Sequence, residues 1–188
     1  QITTLSGHAV PPIWVGSIFH LNDESPTRRI AYLATGTTGR RRPTLHTANL
    51  DGSDELRISF APEGDLAPDV LPNGRIVYPT LGRPNGFGSS LMGINIDGTD
   101  LAVFVDPHDA PPFPHAIRVG TDGLVYFVEA FGQALDGGAL ASVSLRRPLR
   151  SRKVLATDDD GLFLDPAPMS DGTLLASVLS EGSESYRL

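Results

Sequence analysis

Three polar residues, Asp69, His115 and Asp165, have the types and positions from which a binding site could be built. Each lies in a Pro-containing segment that leads into an apolar, β-prone run. If the three runs are equivalent strands of one fold, these side chains converge, and carboxylate with imidazole can bind a polar ligand or a divalent metal. Asp side chains in loops also commonly accept backbone N–H bonds, and this ordinary capping role is the alternative. A metal and a metal-free ligand both fit this donor set.

A second group of residues is suited to contacts with a partner. Arg41 and Arg147 lie in two arginine-rich connections, Arg40–Arg42 and Arg146–Lys153. Guanidinium groups bind carboxylates and phosphates through paired hydrogen bonds, so these connections predict an anionic partner, with solvated loop charge as the alternative. Phe113 lies in a Pro-rich loop, and an exposed Pro-Phe-Pro segment can serve as a docking surface.

Several classes of chemistry are excluded by composition and by missing motifs. The sequence has no cysteine, which excludes disulfides, zinc fingers, iron–sulfur clusters and thiol catalysis within these residues. It contains no Gly-x-Ser-x-Gly nucleophile motif and no phosphate-binding loop, so we predict no catalytic residue and no cofactor. The formal net charge of −7 argues against nucleic-acid binding. No apolar run approaches the ~18 residues of a membrane span. The expected partner is a protein or the remaining blades of the same propeller.

The elements that would position these residues recur along the chain. Three Asx-Gly pairs are spaced by 49 residues: Asn73-Gly74, Asp122-Gly123 and Asp171-Gly172. An offset of 46 residues relates two further pairs of segments: Arg29–Tyr32 with Arg75–Tyr78, and Asp51–Asp54 with Asp97–Asp100. One unit therefore reads strand, Asx-Gly turn, strand, loop, strand, Asp-Gly turn, strand. We predict two-residue hairpin turns at the Asx-Gly pairs, in which both central residues have positive φ.

Four short antiparallel strands in 46–49 residues match the size of one β-propeller blade. A β-sandwich, the other all-β possibility, does not require a fixed period. We therefore expect an all-β fold, a β-propeller of four-stranded antiparallel blades. The expected blades span approximately residues 26–66, 67–111, 112–163 and, incomplete, 164–188, and residues 1–25 are expected to be the end of a preceding blade or a lead-in strand.

These repeats resemble a known family. Pro72-Asn73-Gly74 followed by Arg75-Ile-Val-Tyr78 resembles the PD40, or TolB-like, propeller repeat, as do the Asp-Gly-Ser/Thr-Asp endings of Leu45–Asp54 and Leu91–Asp100. The resemblance covers about residues 26–188, although the third copy has Arg146-Arg147-Pro148 in place of that ending. TolB-like propellers have roughly six to eight blades, whereas about three and a half are present here. The resemblance implies that the remaining blades belong to a larger polypeptide or to other chains, with a self-contained half-propeller as the alternative.

The resemblance leaves two functions open. The first is a non-catalytic binding and scaffolding module for protein–protein interaction, within a larger periplasmic or extracellular protein. The second is the propeller domain of a larger enzyme, with the chemistry mostly outside these residues. Enzymes that contain similar propellers include prolyl-oligopeptidase-type hydrolases, oligogalacturonate-type polysaccharide lyases and hydrazine-synthase-like multihaem subunits. Rigid propellers present loops on two faces, which suits docking and favours the first function.

Overall fold

The computed structural model describes residues 29–35, 42–82, 89–105, 112–131, 137–180 and 185–188. Within these ranges, thirteen strands form four antiparallel sheets. The first sheet contains β1 (Arg29–Thr35), β2 (Pro43–Asn49) and β3 (Leu56–Arg57). The second contains β4 (Asp69–Val70), β5 (Ile76–Thr80), β6 (Ser90–Ile94) and β7 (Ala102–Val105).

The third sheet contains β8 (Pro112–Val119), β9 (Leu124–Phe131), β10 (Ala139–Ser144) and β11 (Lys153–Ala156). The fourth contains β12 (Leu162–Pro168) and β13 (Leu174–Leu179). Two single-turn 3₁₀ helices, Pro148–Arg150 and Asp158–Asp160, lie in the connections before and after β11. In the part of the chain that the structure describes, no helix has the length and apolarity needed to cross a membrane.

Each sheet is an antiparallel meander in which strands adjacent in sequence are adjacent in space. The second and third sheets have the four strands of a complete propeller blade, which confirms the predicted all-β fold class. The proposed blade boundaries remain predictions. The expected lead-in strand at residues 1–25 lies outside the described residues.

The Asx-Gly turns differ from the two-residue hairpins that the sequence predicted. The glycines have positive φ, 81° at both Gly74 and Gly123 and 87° at Gly172, whereas the Asn or Asp before each does not. At the first turn, Gly74 N–H donates to Leu71 O (2.9 Å) and Leu71 N–H donates to Arg75 O (2.8 Å). This is a type I turn followed by a left-handed glycine, a three-residue connection. The prediction of positive φ at both central residues was wrong, because the Asx side chain instead accepts the N–H two residues on.

The Asp-Gly-Ser/Thr-Asp turns are closed by an arginine in the same way in both copies. Arg29 Nη2 donates to Asp54 O (2.9 Å), and its other terminal nitrogen pairs with the Asp54 carboxylate. Arg75 Nη2 donates to Asp100 O (2.7 Å) and lies 3.3 Å from the carboxylate. The two aspartates have left-handed φ values of 53° and 54°. The 46-residue offset therefore relates three-dimensional contacts as well as sequence letters.

The chain divides into two compact units, Gln1–Leu81 with Met92–Ala102, and Gly82–Leu91 with Val103–Leu188. In the first unit, alternation along β1 and β2 places apolar side chains on one face of the sheet, where they join residues from β5 and β6. The buried members of this core are Ala31, Leu33, Leu45, Ile58, Ile76, Tyr78 and Ile94.

In the second unit, β9 is buried on both faces. Val125 and Phe127 lie on one face of β9 and Val128 on the other, and all three side chains are fully buried. Both faces of the third sheet are therefore covered along β9. On this unit, β12 packs against β8 and β9. The first strand of the third sheet, β8, therefore lies next to the first strand of the fourth sheet, β12.

Candidate functional site

Two β-bulges in the second unit carry the candidate residues His115 and Asp165. Strand β8 shifts register against β9 just after His115, and β12 shifts against β13 just after Leu164. Ala116 (φ 49°) and Asp165 (φ 46°) lie in the left-handed region, which non-glycine residues rarely adopt. Ala116 and Asp165 are 49 positions apart, so the same bulge recurs in consecutive repeats. Because a bulge changes the direction of nearby side chains, it is a common device at binding sites.

The electrostatics of this pair favour a neutral imidazole beside a carboxylate. His115 is 4% exposed, and burial lowers its pKa from the ordinary 6.5. The carboxylate of Asp165, whose side chain is exposed, opposes that shift. A neutral imidazole has one donor and one acceptor nitrogen, and an adjacent carboxylate adds an acceptor. Binding of a polar group by this pair stays a prediction.

Asp69, the third predicted ligand-binding residue, belongs to the other compact unit and is described by itself. It lies on β4 in the first unit, and its Oδ1 accepts the adjacent backbone N–H of Val70 (2.8 Å), as in the capping alternative. Relative to the next turn glycine, Asp69 lies five positions upstream, His115 eight and Asp165 seven. The three residues thus occupy different repeat positions, although each precedes an Asx-Gly turn.

The predicted partner-binding residues are described to different extents. Arg41 lies outside the described residues. The sequence placed Phe113 in a loop, but this was wrong: Phe113 lies in strand β8, where its backbone pairs with Ala130. Arg147 is exposed and stands directly before the 3₁₀ helix Pro148–Arg150.

The described ranges contain no group of three or more His, Asp or Glu side chains that could hold a metal ion. The pair of His115 and Asp165 would supply two ligands. Structural metal sites in proteins commonly use four.

A cluster on the first sheet was not predicted from the sequence. Thr44 Oγ1 lies 3.1 Å from His46 Nε2, and His46 Nδ1 lies 3.2 Å from Glu55 Oε1. Tyr32 faces the imidazole across β1 and β2, with ring centroids 5.8 Å apart. The pKa of Tyr32 is raised above its ordinary value, first by burial and then by the carboxylate of Glu55. The spacing of Thr44 and His46, two residues apart on one strand, was the available signal.

In this cluster the imidazole of His46 lies between the hydroxyl of Thr44 and the carboxylate of Glu55. An imidazole placed in this way can accept the proton of the hydroxyl. Thr44 is only 8% exposed, and its hydroxyl also contacts Ala34 O at 3.4 Å. The Thr44–Ala34 contact joins β2 to β1, and the His46–Glu55 contact joins β2 to the residue before β3.

Asp65 is a second buried acid that the sequence did not reveal. It is fully buried, and its Oδ2 accepts hydrogen bonds from Leu45 N (3.1 Å) and from the Ser59 hydroxyl. Burial raises its pKa, and the bonds from Ser59 and Leu45 oppose the shift. Its Oδ1 has no hydrogen-bond partner among the described residues. Asp65 thus links β2 to the segment that leads into the second sheet.

Comparison with solved structures identifies the architecture. Hydrazine synthase of Kuenenia stuttgartiensis superimposes with a TM-score of 0.66 and 15% identity, over 91% of this chain and 30% of that one. A putative TolB from Agrobacterium tumefaciens gives 0.58 and 16%, over 89% and 57% of the two chains. TolB from Acinetobacter baumannii gives 0.58 and 9%, over 81% and 35%. The sequence matches no protein-family model and no curated protein.

The chain spans between about a third and just over half of the length of these three structures. At these identities the likeness concerns the fold. The four antiparallel sheets, the recurring turns and the recurring Arg–Asp pairs agree with it. The chain therefore has the β-propeller fold of the TolB structures, as its repeats predict.

Proposed function

We propose that this chain is a non-catalytic binding and scaffolding module for protein–protein interaction, a run of propeller blades within a larger periplasmic or extracellular protein. The observation that supports it most strongly is an exposed apolar face on the fourth sheet. We call it the β12–β13 face. It consists of Leu162, Leu164, Ala167, Leu175 and Leu179, with Ser177 as the polar residue opposite Leu164.

The β12–β13 face is one side of a regular strand pair. Leu162 pairs with Leu179, and Ala167 pairs with Leu175, which places these side chains on the same side of the sheet. Leu162 is 37% exposed and Leu175 is 42% exposed. Full burial of a leucine side chain contributes about 1.5–3 kcal/mol, so covering this face is favourable.

Repeat equivalence indicates what would cover it. The positions one, two and three repeats upstream of Leu175 are Tyr126, Val77 and Ala31, which are 7%, 0% and 0% exposed. The same position is therefore buried in the three other sheets. In the first unit it is buried by side chains of another sheet, as Ala31 is by residues of β5 and β6. We infer that the β12–β13 face binds a further β-sheet, either a remaining blade of the same propeller or a partner protein.

The location and the partner class follow from the same proposal. The TolB-like fold supports a periplasmic or extracellular location. A net charge of −7 supports a protein partner in preference to a nucleic acid. In this proposal, Arg41, Phe113 and Arg147 contact partners, and Asp69, His115 and Asp165 remain the predicted ligand-binding residues.

The alternative proposal is the propeller domain of a larger enzyme: a hydrolase, a polysaccharide lyase or a hydrazine-synthase-like multihaem subunit. The match over 91% of this chain and 30% of a hydrazine synthase chain favours this candidate. The reacting groups would then lie mostly in the rest of the polypeptide.

Site-specific photo-crosslinking tests the proposal. A photoreactive amino acid replaces Leu175 in the natural full-length polypeptide, and a matched control replaces Leu50, an exposed leucine at 45% in the turn after β2. We expect a crosslink from position 175 to a β-strand segment and none from position 50. A strand of the same polypeptide would indicate a further blade, and a separate chain would indicate a partner. Absence of any crosslink from position 175 would contradict the proposal, and a crosslink to a catalytic domain would favour the enzyme.

A further inference from the structure

The connection between β10 and β11 departs from the repeat in charge and in length. In the first two sheets, the corresponding connections are residues 50–55 and 95–101, and each carries the acidic Asp-Gly-Ser/Thr-Asp turn. In the third sheet, residues 145–152 contain no acidic residue and four arginines. With Lys153 at the start of β11, this segment, residues 145–153, is called the basic loop below.

The arginines of the basic loop do not repeat the internal role of those in the first two sheets. There, Arg29 and Arg75 close the acidic turn, whereas the position one repeat after Arg75 is Leu124. Within the basic loop, Arg152 turns inward and pairs with the buried Glu129. The other four cations are exposed and have no ion-pair partner among the described residues: Arg146, Arg147, Arg150 and Lys153.

Hydrogen bonds hold the basic loop in one conformation. Ser144 N–H donates to the hydroxyl of Ser151 (2.8 Å), which joins the two ends of the loop. Arg150 N–H donates to Arg147 O (3.0 Å) across a single 3₁₀ turn, and Pro148 fixes one backbone angle of that turn. A loop that is already ordered loses little conformational entropy on binding. The arginines are therefore presented from a fixed frame.

One apolar side chain stands among the cations. Leu149, in the middle of the 3₁₀ turn, is 62% exposed; Arg150 follows it, and Arg147 lies two positions before it. An apolar anchor surrounded by guanidinium groups is complementary to a segment in which an apolar residue stands among carboxylates. Recognition of acidic motifs by arginine clusters is a recurrent mode of peptide binding.

The charge of the whole chain selects among anionic partners. A net charge of −7 repels an extended anionic surface such as a membrane or a long polyanion. At physiological ionic strength, charges interact over about 8 Å, so a local basic loop can still attract a short acidic segment. We propose that the basic loop binds an acidic segment of a protein partner, with Leu149 as its apolar anchor. This inference rests on the proposed protein-binding function and names the chemistry of one partner.

The test uses the natural full-length polypeptide and a labelled peptide of about 12 residues, made of Asp and Glu with a central Leu. Binding is measured by fluorescence anisotropy near physiological salt. We expect binding to weaken at least tenfold in the Arg147→Glu, Arg150→Glu double variant, and several-fold in Leu149→Ser. Arg118→Glu, which reverses an exposed arginine on β8 outside the basic loop, is the matched control and should bind as the unaltered protein does.

Three results would overturn the inference. These are no binding of the peptide, equal binding by the double variant, and equal or tighter binding of phosphatidylglycerol vesicles or of heparin. The last result would show a general anion surface or a membrane contact. None of them would affect the crosslink expected from Leu175, so failure of this inference can be distinguished from failure of the proposed function.

Discussion

The buried ion pair between Glu129 and Arg152 allows a quantitative test of how the third sheet is held together. Glu129 lies on β9 with its side chain 3% exposed, and its carboxylate accepts Arg152 Nε at 2.6 Å and a second bond from Nη2. The Arg152 side chain is 43% exposed. Arg152→Met keeps most of the apolar stem but removes both donors. It therefore leaves a buried carboxylate without its cation.

The expected magnitude follows from this asymmetry between the partners. Breaking a buried pair by removing one partner costs roughly 3–5 kcal/mol, because the remaining charge is uncompensated. The outer side of this pair is open to water, so we expect Arg152→Met to cost about 2–4 kcal/mol. Glu129→Gln should cost less, about 1–2 kcal/mol, since the released guanidinium can reach solvent. The double variant should recover part of the loss, because no buried charge is left.

Urea unfolding followed by circular dichroism measures these differences, and the slope with urea should stay unchanged. For a chain of this size, a loss of 2–4 kcal/mol corresponds to a fall in Tm of about 4–16 °C. Arg150→Met is the matched control, since Arg150 is exposed and has no ion pair among the described residues. It should change the stability by less than about 0.5 kcal/mol. An Arg152→Met variant as stable as this control, or a double variant no more stable than Arg152→Met, would refute the reasoning.

Four further predictions test other parts of the structure. Burial raises the pKa of Asp65 above its unfolded value, so its contribution to stability is present at low pH and is lost as pH rises through the folded pKa. Asp65→Asn should therefore flatten the Tm-against-pH curve above the ordinary Asp pKa of 3.8, and parallel curves would contradict this. Asp165→Asn should lower the pKa of His115 further, as measured by NMR titration of the imidazole, and an unchanged midpoint would mean that the two groups are not neighbours in solution. Gly138→Ala places Cβ 2.1 Å from Glu129 O and should lower the free energy of unfolding in urea by more than about 2 kcal/mol. The control Gly123→Ala meets open space and should lower it by only ~1–2 kcal/mol, the cost of a left-handed backbone at a non-glycine residue. Equal losses in the two variants would be inconsistent with the close approach at Gly138. Arg29→Ala and Arg75→Ala should destabilise by similar amounts, about 1 kcal/mol each, because they close equivalent turns; thermal unfolding of the two variants compares them, and a large difference would break the repeat equivalence.

The parts of the fold that the sequence predicted depend on residues with a local physical signature. A glycine after Asn or Asp indicates a turn because glycine tolerates positive φ. Positive φ is found at Gly74, Gly123 and Gly172. The turn type was predicted wrongly, because both two-residue and three-residue connections accept the same dipeptide. The Arg75–Asp100 pair was also within reach, since both residues recur at the same 46-residue offset.

The arrangement of the candidate site was less accessible. The bulges next to His115 and at Asp165 shift the register by one residue. The left-handed residues there are Ala116 and Asp165, and because neither is a glycine, the sequence gives no sign of this backbone conformation. Without knowledge of the bulge, the side-chain direction after it cannot be read from alternation. Glu55 joins His46 across a connection between strands, and no fixed spacing predicts such a contact. Long-range contacts of this kind are set by packing.

Repeated and unrepeated features of the chain call for different explanations. The turn glycines and the pairs of Arg29 and Arg75 recur in equivalent positions, so the requirements of the blade account for them. The basic loop replaces one of these acidic turns, whereas the corresponding connections of the first and second sheets both keep the acidic turn. Leu175 is likewise exposed where three equivalent residues are buried. The blade architecture does not require the basic loop, so we propose that its sequence reflects interaction with a partner. An apolar residue at position 175 does agree with the repeat, and its exposure leaves the β12–β13 face for the further β-sheet that we propose.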